Sequence, residues 1–173
     1  MKKQSLLATV IAVLIFTHVT AQKSKSFNSS TYTSALGIKL YPGTGGAAVT
    51  FKHFLKESAA VEALGSVWDR GTRVTGLYEF HWDIKDVAGL KWYVGPGAHF
   101  GLYKNSRYIT NNGIREDGSY AAFGVDGVIG ADYKFNKIPL NLSADWQPSF
   151  EFGGNRYNGF GGDFGGISAR YTF

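Results

Sequence analysis

His53, His81 and His99 are the side chains of this chain best suited to hold a metal ion or act as a general base. The chain contains no cysteine, and none of these histidines has the i, i+4 partner that would place two imidazoles on one helix face, so no metal site is expected. The absence of thiols also excludes a Cys nucleophile, a disulfide framework and a lipid-anchoring Cys. A Ser/His/acid relay could be assembled across separate segments, for example from Ser66, His81 and Glu79, but no spacing supports it. The glycines of Gly159-Phe160-Gly161-Gly162-Asp163-Phe164-Gly165-Gly166 are not followed by a helix whose N-terminus could bind phosphate, so close packing is the better account of them. We therefore assign no catalytic residue, no cofactor and no metal.

The remaining chemistry belongs to charges that alternate with apolar residues. Between Leu140 and Phe152, one parity holds Leu140, Leu142, Ala144, Trp146, Phe150 and Phe152, and the other holds Asn141, Ser143, Asp145, Gln147, Ser149 and Glu151. Period-two alternation is the mark of a pleated strand between two unlike environments. The same pattern sets Val74 to Trp82 against Thr75 to Asp83, Phe123 to Phe135 against Gly124 to Lys134, and Trp92 to Leu102 against Tyr93 to Gly101. It recurs around Ile167-Ala169-Tyr171-Phe173, Leu36-Ile38-Leu40 and Val49-Phe51-Leu55, and more weakly over Val61 to Val67, which makes eight strands.

The connectors are unequal in length and fall alternately on two ends. Pro42 to Gly46, Asp69 to Thr72, Lys104 to Ser119 and Gly153 to Gly162 fall on one end, while Lys56 to Ala59, Ile84 to Leu90 and Asn136 to Ile138 fall on the other. The longer set carries the turn signals Asn112-Gly113, Asp117-Gly118 and Asn158-Gly159. An even number of antiparallel strands with longer loops on one end predicts an all-β fold, an up-and-down, eight-stranded antiparallel transmembrane β-barrel. Pro96 and Pro148 fall inside strands, where a ladder donor is lost, and a bulge is expected at each.

The N-terminus sets the compartment. Lys2 and Lys3, the apolar run from Leu6 to Phe16 and the small exit Val19-Thr20-Ala21 form the pattern of a cleavable secretory signal. The run is shorter than the ~18 apolar residues a spanning helix needs. The expected organisation is a signal peptide over 1–21, a short periplasmic segment over 22–32 and an outer-membrane barrel domain over 33–173. Cleavage leaves 173 − 21 = 152 residues with 18 − 2 = 16 basic against 13 acidic side chains, a formal charge of +3. The basic residues are dispersed among acidic ones, which excludes a nucleic-acid face.

Alternation alone does not say which face is inside, since a soluble lipocalin-like barrel shows it too. Aromatic residues crowd the strand ends on the apolar face, as at membrane interfaces, and glycines crowd the polar face, as a narrow interior requires. The polar face, with Lys39, Lys52, Glu62, Glu79, His81, His99, Asp126, Asp132, Asp145, Glu151 and Arg170, is thus assigned to the interior. Lys39, Glu79, His81, His99, Asp126, Asp145 and Arg170 are the core of the expected polar network. Opposite charges there should pair and plug the barrel. Gly95, Gly97, Gly101, Gly124 and Gly130 on the same face leave room that water could occupy.

Gly165-Gly166-Ile167-Ser168-Ala169-Arg170-Tyr171-Thr172-Phe173 resembles the C-terminal signal strand of bacterial outer-membrane barrels, and with the leader and strand count the chain resembles the small OmpA/OmpX-type barrels. The resemblance implies that Tyr171 and Phe173 are read by the barrel-assembly machinery in a Gram-negative envelope. It also implies contact with outer-membrane lipid and lipopolysaccharide. Outer-membrane lipid A deacylases are similar in size but carry His-x-Ser, whereas His53, His81 and His99 are followed two residues later by Leu55, Asp83 and Gly101. The reading is therefore a non-enzymatic outer-membrane barrel with a structural or accessory role. A further expected role is binding an extracellular or envelope protein through Arg107, Tyr108, Arg115, Arg156 and Tyr157 in its loops. A lipid-modifying enzyme, a narrow pore and a secreted lipocalin-like binder are the alternatives.

Overall fold

The structure is a computed structural model that describes residues 32–69, 71–105, 118–152, 159–162 and 164–173. The proposed leader and the loop residues Arg107, Tyr108, Arg115, Arg156 and Tyr157 lie outside the described residues. Ten strand segments follow one another: β1 (Ser34–Tyr41), β2 (Gly46–Lys56), β3 (Ala59–Trp68), β4 (Gly71–Asp83), β5 (Leu90–Asn105), β6 (Gly118–Lys134), β7 (Leu140–Trp146), β8 (Ser149–Phe152), β9 (Gly159–Gly161) and β10 (Gly165–Thr172). Segments β7 and β8 are two halves of one wall strand, and β9 and β10 are two halves of the next, so the wall has eight strands. Each pairs antiparallel with its chain neighbours, β10 pairs with β1, and β5–β6 completes the ring. Tyr32 and Phe173 lie at the end with the short connections, called here the turn end; the opposite end is the loop end.

Closure removes the free edges that an open sheet would leave. The seam between first and last strands is tied by Ser34 N–H donating to Phe173 O at 2.9 Å and Phe173 N–H donating to Ser34 O at 2.8 Å. Burial follows the sequence alternation with the faces inverted relative to a soluble protein. Ile38, Val49, Val74, Phe100, Phe123, Val125 and Ile167 are each more than half exposed on the outside, whereas Lys39, Lys52, Glu79 and Arg170 have no exposed surface at all. Outward rings gather near both ends. Trp82 and Trp92 stack at 4.4 Å and Tyr133 meets Phe135 at 4.8 Å toward the turn end, and Phe123 meets Phe152 at 6.0 Å toward the loop end.

Of the bulges expected at the two strand prolines, the one at Pro96 is absent, whereas the one at Pro148 is present with its extra residue on the facing strand. Through Pro96 the register with β6 is unbroken, from Leu90↔Tyr133 to Asn105↔Gly118, and the pairing with β4 keeps its register across the gap between Leu77↔Gly97 and Phe80↔Val94. In an antiparallel ladder a residue directs its N–H and C=O to the same neighbour. The donor Pro96 lacks therefore falls on the β4 side, where rungs are missing, and no residue need be inserted. Pro148 likewise keeps register with β6, accepting a bond from Gly127 N–H at 2.8 Å, but it splits the wall strand into β7 and β8. The extra residue lies on the facing strand: Trp146↔Gly165 and Ser149↔Gly161 enclose two residues on one side and three on the other. Gln147 N–H to Phe164 O at 2.6 Å and Trp146 Nε1–H to Gly162 O at 2.9 Å tie the irregular stretch together.

The inward glycines at 95, 97, 101, 124 and 130 do not leave open space. Tyr93 pairs directly with Gly130, and His99 with Gly124. A Cβ on Gly130 would lie 2.8 Å from the Tyr93 ring, and one on Gly124 would lie 2.9 Å from His99 Nε2. Each glycine makes the room its large cross-strand neighbour occupies. Outward-facing Gly65 has nothing within 4 Å of such a Cβ. Gly130→Ala should therefore destabilise the barrel by about 1–3 kcal/mol through overpacking, whereas Gly65→Ala should be neutral or stabilising by about 0.4–1 kcal/mol. Urea unfolding of refolded protein, followed by tryptophan fluorescence, measures both.

Candidate functional site

The charged residues assigned to the interior all lie there, and the wall geometry gathers them into two clusters and a Lys39–Asp145 pair at their side. Nearer the turn end, the Arg170 guanidinium from β10 is the centre. It donates to Thr50 Oγ1 at 3.1 Å, Asn141 Oδ1 at 3.1 Å, Ser143 Oγ at 2.8 Å, Ser168 Oγ at 3.1 Å and the Glu62 carboxylate. Lys52 bridges the two carboxylates of neighbouring strands, 3.5 Å from Glu62 and 2.7 Å from Glu79, and lies 4.2 Å from the Tyr93 ring centre. His81 Nε2 is 2.9 Å from Glu79, and Asn141 donates to Asp132 at 3.1 Å. Every side chain of this cluster comes from a different position along the chain but from the same inward parity, which is why it assembles only when the wall closes.

Tyr32 and Phe54 finish the turn end. The Tyr32 hydroxyl donates to Asp132 at 2.9 Å, its ring meets Phe54 edge-on at 5.0 Å, and Phe54 packs on His81 at 4.8 Å. Tyr32, the last residue of the segment expected to precede the barrel, thus has its side chain drawn into the barrel mouth.

Toward the loop end, Asp126 of β6 is the shared acceptor. It receives Arg73, His99 Nδ1 at 2.7 Å and Gln147 Nε2 at 3.2 Å. Glu151 accepts from the Tyr103 hydroxyl and lies 3.5 Å from His99 Nε2. Arg73 was not among the residues expected to face inward, because the sequence places Asp69 to Thr72 in a connector. Its parity with Thr75, Leu77, Glu79 and His81 was the available signal.

The two clusters are separated. On β4 the inward order is His81, Glu79, Leu77, Thr75, Arg73, and on β3 it is Glu62, Leu64, Ser66. Leu64, Leu77 and Val128 pack with Ala48, Tyr41 and Tyr93 into a buried apolar layer between the charged groups. At its side, Lys39 donates to Asp145 at 2.6 Å, and Tyr93 Oη–H donates to the other carboxylate oxygen at 2.8 Å. Above the loop-end cluster, Trp68, Tyr103, Tyr41 and Phe164 form a second group of rings, Phe164 standing 5.7 Å from Tyr41 and 5.6 Å from Trp68.

The relay considered from sequence is not assembled. Ser66 Oγ lies 3.4 Å from the Tyr41 hydroxyl, on the far side of the apolar layer from the His81–Glu79 pair. His53 faces outward and meets Ser34 Oγ at 2.9 Å, a contact not anticipated from spacing. Among the described residues, no group of three His, Asp or Glu side chains is arranged to hold a metal ion.

A closed antiparallel eight-stranded wall, apolar outside and ionic inside, is the fold of the small OmpA-like outer-membrane barrels. In structure the chain is similar to the N-terminal β-barrel domain of Pseudomonas aeruginosa OprF, with a TM-score of 0.58 and 15% sequence identity over 81% of this chain and 94% of that one. No family model and no curated protein matches the chain.

The shared role of Asp126 sets a test of the interior. Asp126→Ala leaves the Arg73 guanidinium buried without its counter-charge and should cost about 3–5 kcal/mol. The double variant Arg73→Met/Asp126→Leu removes both charges and should recover most of that loss, which a comparison of unfolding midpoints in urea would reveal.

Proposed function

We propose that this chain is an integral outer-membrane protein with a sealed interior, acting as a structural or accessory barrel and offering its loop end to partners. The observation that carries the reading is the simultaneous inversion and pairing of the wall. Large apolar side chains are exposed all round the outside, while the ionisable groups within are fully buried and bonded to one another. In water the outer surface would be a continuous apolar patch far larger than soluble monomers carry. In a bilayer it is the required solvent contact, and the closed ladder leaves few backbone groups unpaired. The rings near both ends then stand at the two interfaces.

The same packing supports a sealed interior. The apolar layer of Leu64, Leu77 and Val128 interrupts the polar path between the two clusters, and ring groups cover both mouths. No catalytic role is assigned to the interior, because its acids and bases bond to one another rather than converging on an open cleft. The work of the protein then falls to the membrane-embedded wall and the loop end, where Arg107, Tyr108, Arg115, Arg156 and Tyr157 supply the side chains suited to recognition.

Fractionation of cells making the full chain tests the compartment. The protein should sediment with outer membranes and migrate differently on SDS gels before and after boiling, whereas a soluble periplasmic product overturns the reading. Depth supplies an independent test: Ile129→Arg, in the middle of the wall, should cost about 2–4 kcal/mol, and Val67→Arg, near a strand end, about 0–1 kcal/mol. Absence of that gradient would remove the bilayer from the explanation. Purified protein in planar bilayers should give no steady ion current; a reproducible current would replace the sealed barrel with a narrow pore.

A further inference from the structure

Phe164 occupies an unusual place in the wall. It follows the irregular stretch opposite Pro148 and precedes β10, so its backbone lies outside the regular ladders with β1 and β7. The recorded tie at this residue is its carbonyl, which accepts from Gln147 N–H. Its parity with Gly166, Ser168 and Arg170 turns the ring inward, and Gly161, Gly162, Gly165 and Gly166 on either side add no bulk. The ring lies between Tyr41 and Trp68 with the Arg73 guanidinium carbon 4.3 Å from its centre.

Beside it, three buried polar atoms of the Asp126 cluster have no hydrogen-bond partner among the described residues: Arg73 Nη1, His99 Nε2 and Gln147 Oε1. Buried polar atoms of this kind carry a desolvation cost that contact with water relieves. Lifting the ring would expose one arginine face and let water reach these atoms, offsetting part of the lost aromatic packing. Phe164 also packs against the apolar layer of Tyr41, Leu64, Leu77 and Val128, which stays in place when the ring lifts and would still bar passage to the turn end.

We propose that Phe164 is a movable stopper: its ring seals the loop-end mouth, and its withdrawal admits water and small solutes to the Arg73–Asp126 cluster without opening a path through the barrel. The proposal rests on the reading of a sealed outer-membrane barrel and concerns which element makes the outer seal. The ring is held by packing and one cation–π contact rather than by the ladder, so it can move while the wall stays closed.

The natural absence of cysteine makes the test clean, because one introduced thiol is the sole reactive site. Ser66→Cys is nearly isosteric and places a thiol under the ring group, next to Tyr41. Its modification by a membrane-impermeant methanethiosulfonate ammonium reagent, added outside intact cells, is timed with Phe164 present, with Phe164→Ala and with Phe164→Trp. Modification should quicken by about tenfold or more in the alanine variant and stay slow in the tryptophan variant. Heat-modifiable migration confirms that each variant is folded. Equal rates in all three, whether fast or slow, overturn the stopper. Planar-bilayer recordings of the same variants separate the two proposals. Silence with quickened modification supports both, whereas current in the unaltered protein removes the sealed barrel whatever the modification rates show.

Discussion

An eight-stranded wall encloses a space that is just wide enough for its own side chains, and this narrow volume governs the rest of the molecule. Every inward residue must be matched in size and charge by residues from other strands. Tyr93 and His99 fit because Gly130 and Gly124 stand directly opposite, and Arg170 fits because Thr50, Ser143 and Ser168 are small hydroxyl residues that accept its hydrogen bonds. The glycine-rich composition of the polar face is therefore a record of large residues elsewhere. Read along one strand, those glycines suggest room for water; read across the ladder, they mark where rings and long cations go.

Charge obeys the same matching. An isolated ion in this interior would be far costlier than a paired one, and the structure meets that condition by sharing acceptors rather than by simple pairs. Asp126 serves Arg73, His99 and Gln147, while Glu62 serves Arg170, Lys52 and Thr50. Each shared group joins three or more strands, so the clusters report closure of the barrel: none of them can form in a hairpin alone.

The wall was largely legible in the sequence because alternation is local. Strand count, faces and the inequality of the two ends all follow from period-two patterns and turn residues, and Lys39, Glu79, His81, His99, Asp126, Asp145 and Arg170 could be placed inside by parity. Cross-strand facts were not legible. The sequence does not state which carboxylate meets which cation, and parity was lost where a strand began earlier than its apolar pattern, which left out Arg73. The prolines show the same limit. Pro148 locates an irregularity correctly, but the compensating residue lies on the facing strand near Gly162, and no property of Pro148 reveals that. Phe164 falls between the connector ending at Gly162 and the strand pattern beginning at Gly165, although its even spacing from Gly166, Ser168 and Arg170 already places it on the inward face.

The ionic interior also accounts for how one register is selected. If the inside were as apolar as the outside, slipping a strand by one residue would exchange two similar faces at little cost, and eight strands could close in many ways. With Glu79, Asp126 and Arg170 on one parity and Phe80, Val125 and Tyr171 on the other, a one-residue slip moves charges to the apolar surface and bulky rings into a space that has no room for them. Buried ion pairs are weak evidence for stability, since apolar replacements of equal volume can be as stable or more so. Their advantage here is discrimination. The charged lining penalises every alternative closure heavily while contributing modestly to the correct one, and that difference is what lets a repetitive alternating sequence specify a single barrel.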